Sequence, residues 1–358
     1  DVISLGIGEP DFDTPAPIVE AGIAALRNGG THYTSNSGLI ELRQAIAAHV
    51  KKLYGLCYDP DQEVLVTVGV SEALYVAMAA LLDPGDEIII AEPCFVAYDP
   101  VAVMVGAKPV TIPTTPETEF QLTAEMIEAA ITPKTKALFL ASPNNPTGAV
   151  INHERLSAIA ALVEKHNLVV ISDEIYDRLI YGMEHVCFAS LPGMRERTIV
   201  LQGFSKAYAM TGWRVGYMLG PETLLAEMRK LHQYLIMSAP TVSQWAALKA
   251  LEVGEPFVQE MHARYERRRR LIVDGLNAIG LTCVEPHGAF YAFPNIQSTG
   301  LDDNEFAEQL LQAERVAVVP GRAFGPSGVG FVRMSYATAY DKIEIALERI
   351  ANFVKRYQ

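Results

Sequence analysis

Cysteine is scarce in this chain and never falls in motif spacing: Cys57, Cys94, Cys187 and Cys283 lie far apart, with no C-x-x-C pair. That scatter excludes a disulfide framework and fits a reducing compartment. No apolar run is long enough to span a bilayer, and the opening residues do not read as a secretion signal. A soluble cytoplasmic protein is therefore expected. The chain opens on Asp1 rather than methionine, so a further N-terminal piece is expected too. Positive charge is also short. With 29 Lys and Arg against 42 Asp and Glu, the formal charge is -13, which argues against nucleic-acid binding by bulk electrostatics. A local basic pocket for an anionic ligand stays compatible with that balance. Internal repeats and low-complexity linkers are missing as well.

What is present is the material of a large core. Half of the 358 residues are hydrophobic (50%) and a fifth are charged (20%). The length predicts two domains, or one large α/β domain with a satellite. Helix and strand patterns alternate, which predicts a layered α/β architecture with a mainly parallel sheet. Short apolar runs at Val64–Val68, Ile88–Ile90, Pro109–Ile112, Ala137–Leu140, Leu168–Ile171, Thr198–Leu201 and Val215–Leu219 read as strands. Helical patterns separate most of them, including Pro17–Arg27, Leu39–Leu53, Thr123–Ile131, His153–His166, Pro221–His232 and Thr241–Leu251. Strands are further expected at Ala289–Pro294, Val316–Val319 and Phe331–Ser335. A long helix from Glu255 to Ala278 carries Arg267–Arg270, expected to be a solvated stripe paired with Glu260 and Glu266. The domain change is placed within that helix.

Ligands of open α/β sheets sit outside the carboxyl ends of the strands. Loops with complementary chemistry occupy those positions here. Gly69-Val70-Ser71 offers backbone N–H groups and a hydroxyl at a helix start, a seat for phosphate. Phe95, after Pro93, could stack on a planar ring, and Asn145, between prolines, could donate to a ring oxygen. Asp173 arrives at a strand end, where a buried carboxylate requires a partner, and Tyr176 follows three residues later. Each has an ordinary reading as well: a capped helix, a core aromatic, a turn asparagine, an ion-paired acid.

The stretch Ser205-Lys206-Ala207-Tyr208-Ala209-Met210-Thr211-Gly212-Trp213-Arg214 alters that balance. A lysine just past a strand end can condense with an aldehyde, and the arginine fork eight residues on can grip a phosphate. Pyridoxal 5′-phosphate would give every one of these groups a purpose. Lys206 would form the imine and Asp173 would keep the pyridine nitrogen protonated. Asn145 and Tyr176 would reach the ring oxygen and Phe95 would stack on the ring. Ser71, the neighbouring N–H groups and Arg214 would hold the phosphate.

Ser142–Gly148 (Ser-Pro-Asn-Asn-Pro-Thr-Gly), Ser172–Tyr176 (Ser-Asp-Glu-Ile-Tyr) and Ser205–Tyr217 resemble the motifs of class I/II aminotransferases, fold-type I pyridoxal-phosphate enzymes of the aspartate/aromatic kind. The resemblance runs from Gly6–Phe12 to Val332–Ala337. It implies a large domain at 12–263, with a mainly parallel seven-stranded sheet flanked by helices, and a smaller α+β domain from 1–11 and 264–358. It implies Lys206, Asp173 and Tyr176 as the catalytic set. Gly69, Val70, Ser71, Phe95, Asn145, Ser205 and Arg214 are implied as cofactor contacts, with Tyr33 reaching the phosphate from the neighbouring subunit of a homodimer. Arg333, the Gly8 N–H and Asn145 would bind the substrate α-carboxylate. Glu92–Pro93 and Asn145–Pro146 would be cis, and no metal is implied.

Two positions depart from the pattern. Gly203 stands where some relatives carry a phosphate-binding serine, with Ser205 a candidate to compensate. No arginine matches the one that binds a distal carboxylate in aspartate-specific members. The implied reaction is a two-half-reaction amino transfer through a Lys206 aldimine, from an L-amino acid to a 2-oxo acid such as 2-oxoglutarate. The rival is a C–S β-lyase of the same fold, which the long Met210-Thr211-Gly212-Trp213 segment disfavours.

Overall fold

The computed structural model describes residues 1–357. Seven strands make one sheet in the order Val64–Thr67, Gly216–Leu219, Thr198–Gly203, Val169–Asp173, Thr135–Ala141, Glu87–Glu92 and Lys108–Pro113. Its neighbours run parallel except Gly216–Leu219, which is antiparallel to both partners. The central strands are continuous apolar runs because both faces are covered; Ile88, Ile89, Val170, Ile171, Ile199 and Val200 are all fully buried. The expected α/β fold with its seven-stranded, mostly parallel sheet is therefore observed.

The antiparallel strand has a simple cause. A parallel return requires a crossover, usually a helix. Between Gly203 and Gly216 the chain makes only the short 3₁₀ turn Thr211–Trp213. The connection instead folds over the strand ends and carries Lys206 there.

Three expectations are corrected. Tyr98–Met104 is a helix where no element was expected; seven residues are too few to show helical periodicity. The single strand expected at Val316–Val319 is two. Val316–Ala317 pairs in parallel with Ile3–Ser4, whereas Val319–Pro320 pairs with Val332–Ser335, which in turn pairs with Tyr291–Ala292. The arginine run is only half a solvated stripe. Arg267 and Arg270 are exposed, but successive helical residues point about 100° apart, and Arg268 and Arg269 turn inward, 7% and 5% exposed. Arg268 forks onto both Asp11 carboxylate oxygens at 2.7 and 3.0 Å. Arg269 bonds Glu266 and Glu285, and Glu260 pairs with Arg264.

The N-terminal residues Ile3 and Leu5 pack into one apolar cluster with the helices Glu255–Ala278, Asp303–Glu314 and Tyr340–Val354. The opening loop Gly6–Asp11 is thereby delivered across the carboxyl ends of the large sheet. Among the described residues, no helix is long and apolar enough to cross a membrane.

Candidate active site

At those strand ends lies a cavity of about 480 Å³, lined among others by Gly8, Val70, Ser71, Phe95, Asn145, Asp173, Tyr176, Ser205, Lys206, Arg214 and Arg333. The motifs scattered over the sequence meet there.

Lys206 follows the strand Thr198–Gly203, and its Nζ donates to the Gly8 carbonyl at 2.6 Å. Burial disfavours the ammonium and lowers its pKa from 10.5 to about 8. Asp173 closes the strand Val169–Asp173 and is 6% exposed. Its Oδ2 accepts the Tyr98 hydroxyl at 2.9 Å and its Oδ1 accepts the Ile175 N–H at 3.2 Å. Among the described residues it has no salt bridge, and burial raises its pKa to about 6.

Arg333 is the complementary case. It sits in the strand Val332–Ser335, 7% exposed, and forms no salt bridge among the described residues. Its Nη1 donates to Asn145 Oδ1 at 3.0 Å and its Nη2 to the Gly6 carbonyl at 2.6 Å, while Nε has no partner. The guanidinium stands over the Tyr291 and Phe324 rings at 4.6 and 4.9 Å. A buried acid without a cation and a buried cation without an anion thus share one cavity. Each would be costly unless a ligand met it.

A third part of the cavity suits a phosphate. The helix Gly69–Leu81 opens there, so the N–H groups of its first turn lack intrahelical acceptors. Arg214 holds a left-handed backbone (φ 50°) and approaches Gly69 so closely that a Cβ there would lie 2.7 Å from Nη2. A Cβ on Gly203 would meet Gly216 Cα at 3.1 Å and Val70 Cγ2 at 3.3 Å, so a side chain there would crowd the seat. Ser205, two residues on, lines the cavity.

Tyr176 and Tyr291 join their hydroxyls at 2.9 Å. Glu92–Pro93 and Asn145–Pro146 are cis as expected, and so is Ser142–Pro143, which was not anticipated.

One expected contact is not gathered into this cavity: Gly69 is absent from the lining and packs against Arg214. Tyr33, expected to serve the site of a neighbouring copy, is 79% exposed. Tyr98, Phe324, Glu9 and Thr211 line the cavity without having been singled out. The spacing of Tyr98 three residues after Phe95 was a usable signal, since a helical turn places both on one face. Phe324 comes from the 3₁₀ turn Gly321–Phe324 and had none.

This cavity is suited to chemistry between an amine and a carbonyl ligand that bears an anionic group. The comparisons with known proteins narrow that class. The model of the family "Aminotransferase class I and II" matches residues 1–350. The chain is 50% identical to the putative aminotransferase YugH of Bacillus subtilis over 99% of its own length and 92% of that protein's. It superposes on the aromatic aminotransferase of Pyrococcus horikoshii with a TM-score of 0.98 at 48% identity, covering 99% of this chain and 96% of that one. On the aspartate aminotransferase of Thermus thermophilus the TM-score is 0.95 at 42% identity, covering 98% and 91%. The chain belongs to the class I and II aminotransferases and is an aminotransferase.

That family uses pyridoxal 5′-phosphate. The residues present fit the group. Asp173 lacks the cation that a protonated ring nitrogen would provide, Lys206 offers a partly neutral amine, and the Gly69–Ser71 turn with Arg214 is a cradle for an anion.

Proposed function

We propose that this enzyme moves an amino group between an L-amino acid of the aspartate or aromatic kind and a 2-oxo acid, with 2-oxoglutarate as the acceptor. The observation that carries this reading is the presence of two unmet charges, Asp173 and Arg333, together with Lys206 in one cavity. Pyridoxal 5′-phosphate, when bound, supplies an aldehyde and a ring that accepts the electron pair released at the substrate α-carbon.

The protein's own groups divide the remaining work. Ser71, Ser205, Arg214 and the Gly69–Ser71 N–H groups would hold the phosphate, with Tyr33 joining from the neighbouring copy in a homodimer. Asp173, kept in place by Tyr98, would hold a proton on the ring nitrogen, and Phe95 would cover the ring. Tyr176 and Asn145 would donate to the ring oxygen. Arg333 would fork onto the substrate α-carboxylate beside Asn145 and the Gly8 N–H. Lys206, with its lowered pKa, would take the proton from the substrate α-carbon as general base. The division at 12–263 against 1–11 with 264–358 is our proposal for the domains, supported by the cluster that joins Ile3 and Leu5 to the C-terminal helices.

A panel of amino donors tested against 2-oxoglutarate checks the reading. Turnover of aspartate or an aromatic amino acid that stops when the oxo acid is omitted is the expected result. Turnover that continues without an acceptor, releasing ammonia, would overturn it in favour of the lyase.

A further inference from the structure

Beside the phosphate seat a partly buried carboxylate meets a fully buried histidine, a pair that the reaction does not use. Glu72 lies in the first turn of the helix Gly69–Leu81, one residue beyond Ser71. Its Oε2 accepts the Val68 N–H at 2.5 Å, at the residue preceding that helix. Its Oε1 faces His232 Nδ1 at 2.6 Å. His232 comes from the helix Glu222–Leu235, is fully buried (0% exposed), and leaves its Nε2 without a partner.

A carboxylate only accepts, so Nδ1 carries the hydrogen and donates to Glu72. A histidine fully buried with one nitrogen unsatisfied is an expensive feature for packing alone, since an apolar residue would fill the same volume without an orphaned polar atom. The return is at Glu72. A carboxylate one residue beyond Ser71, if free to turn, would be a rival acceptor for the Val70 and Ser71 N–H groups and a like charge beside any phosphate they bind. With His232 on one oxygen and the Val68 N–H on the other, both of its oxygens are committed to other partners.

We propose that His232 is a positioning residue for the phosphate seat: through Glu72 it keeps the helix start open to an anion. This rests on the pyridoxal-phosphate reading above. The role predicts a loss confined to the phosphate part of the ligand. The purified full-length chain, stripped of cofactor, is titrated with pyridoxal 5′-phosphate and separately with pyridoxal, followed by visible absorbance.

For His232→Leu, affinity for pyridoxal 5′-phosphate should fall about tenfold or more, the order expected for losing a hydrogen bond to a charged group. Affinity for pyridoxal, which has no phosphate, should stay within about twofold. His232→Asn, which keeps a donor for Glu72, should restore most of the loss. If His232→Leu does not fold, Glu72→Ala carries the test in reverse: with the rival carboxylate gone, affinity for pyridoxal 5′-phosphate should hold or rise, and a phosphate-selective loss would overturn the proposal. For His232→Leu, equal losses for both ligands, or no loss for either, would overturn it. Failure of the unaltered protein to bind either ligand would instead sink the cofactor reading on which it rests.

Discussion

Tyr98 donates its hydroxyl to Asp173 Oδ2 at 2.9 Å, from a seven-residue helix that begins just after the cis Glu92–Pro93 turn. The bond works against burial. Desolvation raises the Asp173 pKa, and the Tyr98 hydrogen bond is the largest effect opposing that rise. The carboxylate proposed to face a protonated ring nitrogen therefore stays ionised at neutral pH partly because of a residue outside every recognised motif.

Tyr98→Phe should move the Asp173 pKa upward from about 6, toward neutrality. At pH 7 the carboxyl would then be partly protonated, and affinity for pyridoxal 5′-phosphate should drop by about tenfold, the scale of one hydrogen bond to a charged group. The deficit should shrink as the pH is raised to 8 and above. Binding titrations across that range check both the drop and its recovery; a pH-independent deficit would assign Tyr98 to packing.

Asp173 also has a stability consequence. Its folded pKa of about 6 lies above the ordinary value of 3.8, so between those values the native state holds more protons than the unfolded chain. Stability contributed by the neutral acid is present below the lower value and lost as the pH rises through the upper one. In cofactor-free protein at pH 7, Asp173→Asn should therefore stabilise the fold, by at most about 3 kcal/mol for a shift of this size. The same substitution should weaken cofactor binding. Urea unfolding of the two cofactor-free proteins at pH 4 and pH 7 measures the effect, which should be small at the lower pH.

Arg333 is buried with its Nε unpaired and two aromatic rings against its plane. Arg333→Lys keeps the charge but not the fork, so kcat/KM for α-amino acids should fall about a hundredfold, mostly through KM. An amine without an α-carboxylate should react equally with both proteins. Steady-state kinetics on such a pair separates the clamp from general electrostatics.

The Lys206 amine, with its pKa lowered to about 8, should be about one-tenth neutral at pH 7. Only the neutral amine attacks an aldehyde. Capture of pyridoxal 5′-phosphate by the cofactor-free protein should therefore accelerate with pH up to about 8 and level off above it. Stopped-flow absorbance from pH 6 to 10 reads this directly. A rate still climbing at pH 10 would show an amine at its ordinary value.

By itself the sequence determined the layered α/β class, because strands buried on both faces must be written as unbroken apolar runs such as Ile88–Ile90 and Leu168–Ile171. It also determined most of the lining, because the Ser205–Arg214, Ser172–Tyr176 and Gly69–Ser71 stretches sit at strand ends where their chemistry is local and legible. Tertiary structure alone decided what depended on partners far along the chain. Arg268 is buried because Asp11, 257 residues away, meets it in a fork. Tyr98 matters because it meets Asp173, and Phe324 because its ring underlies Arg333. The histidine beside the phosphate seat, His232, closes a helical pattern in the sequence and shows its purpose only against Glu72. Periodicity reports which face of an element is covered, but not which residue covers it, and the charges of this site take their values from that second fact.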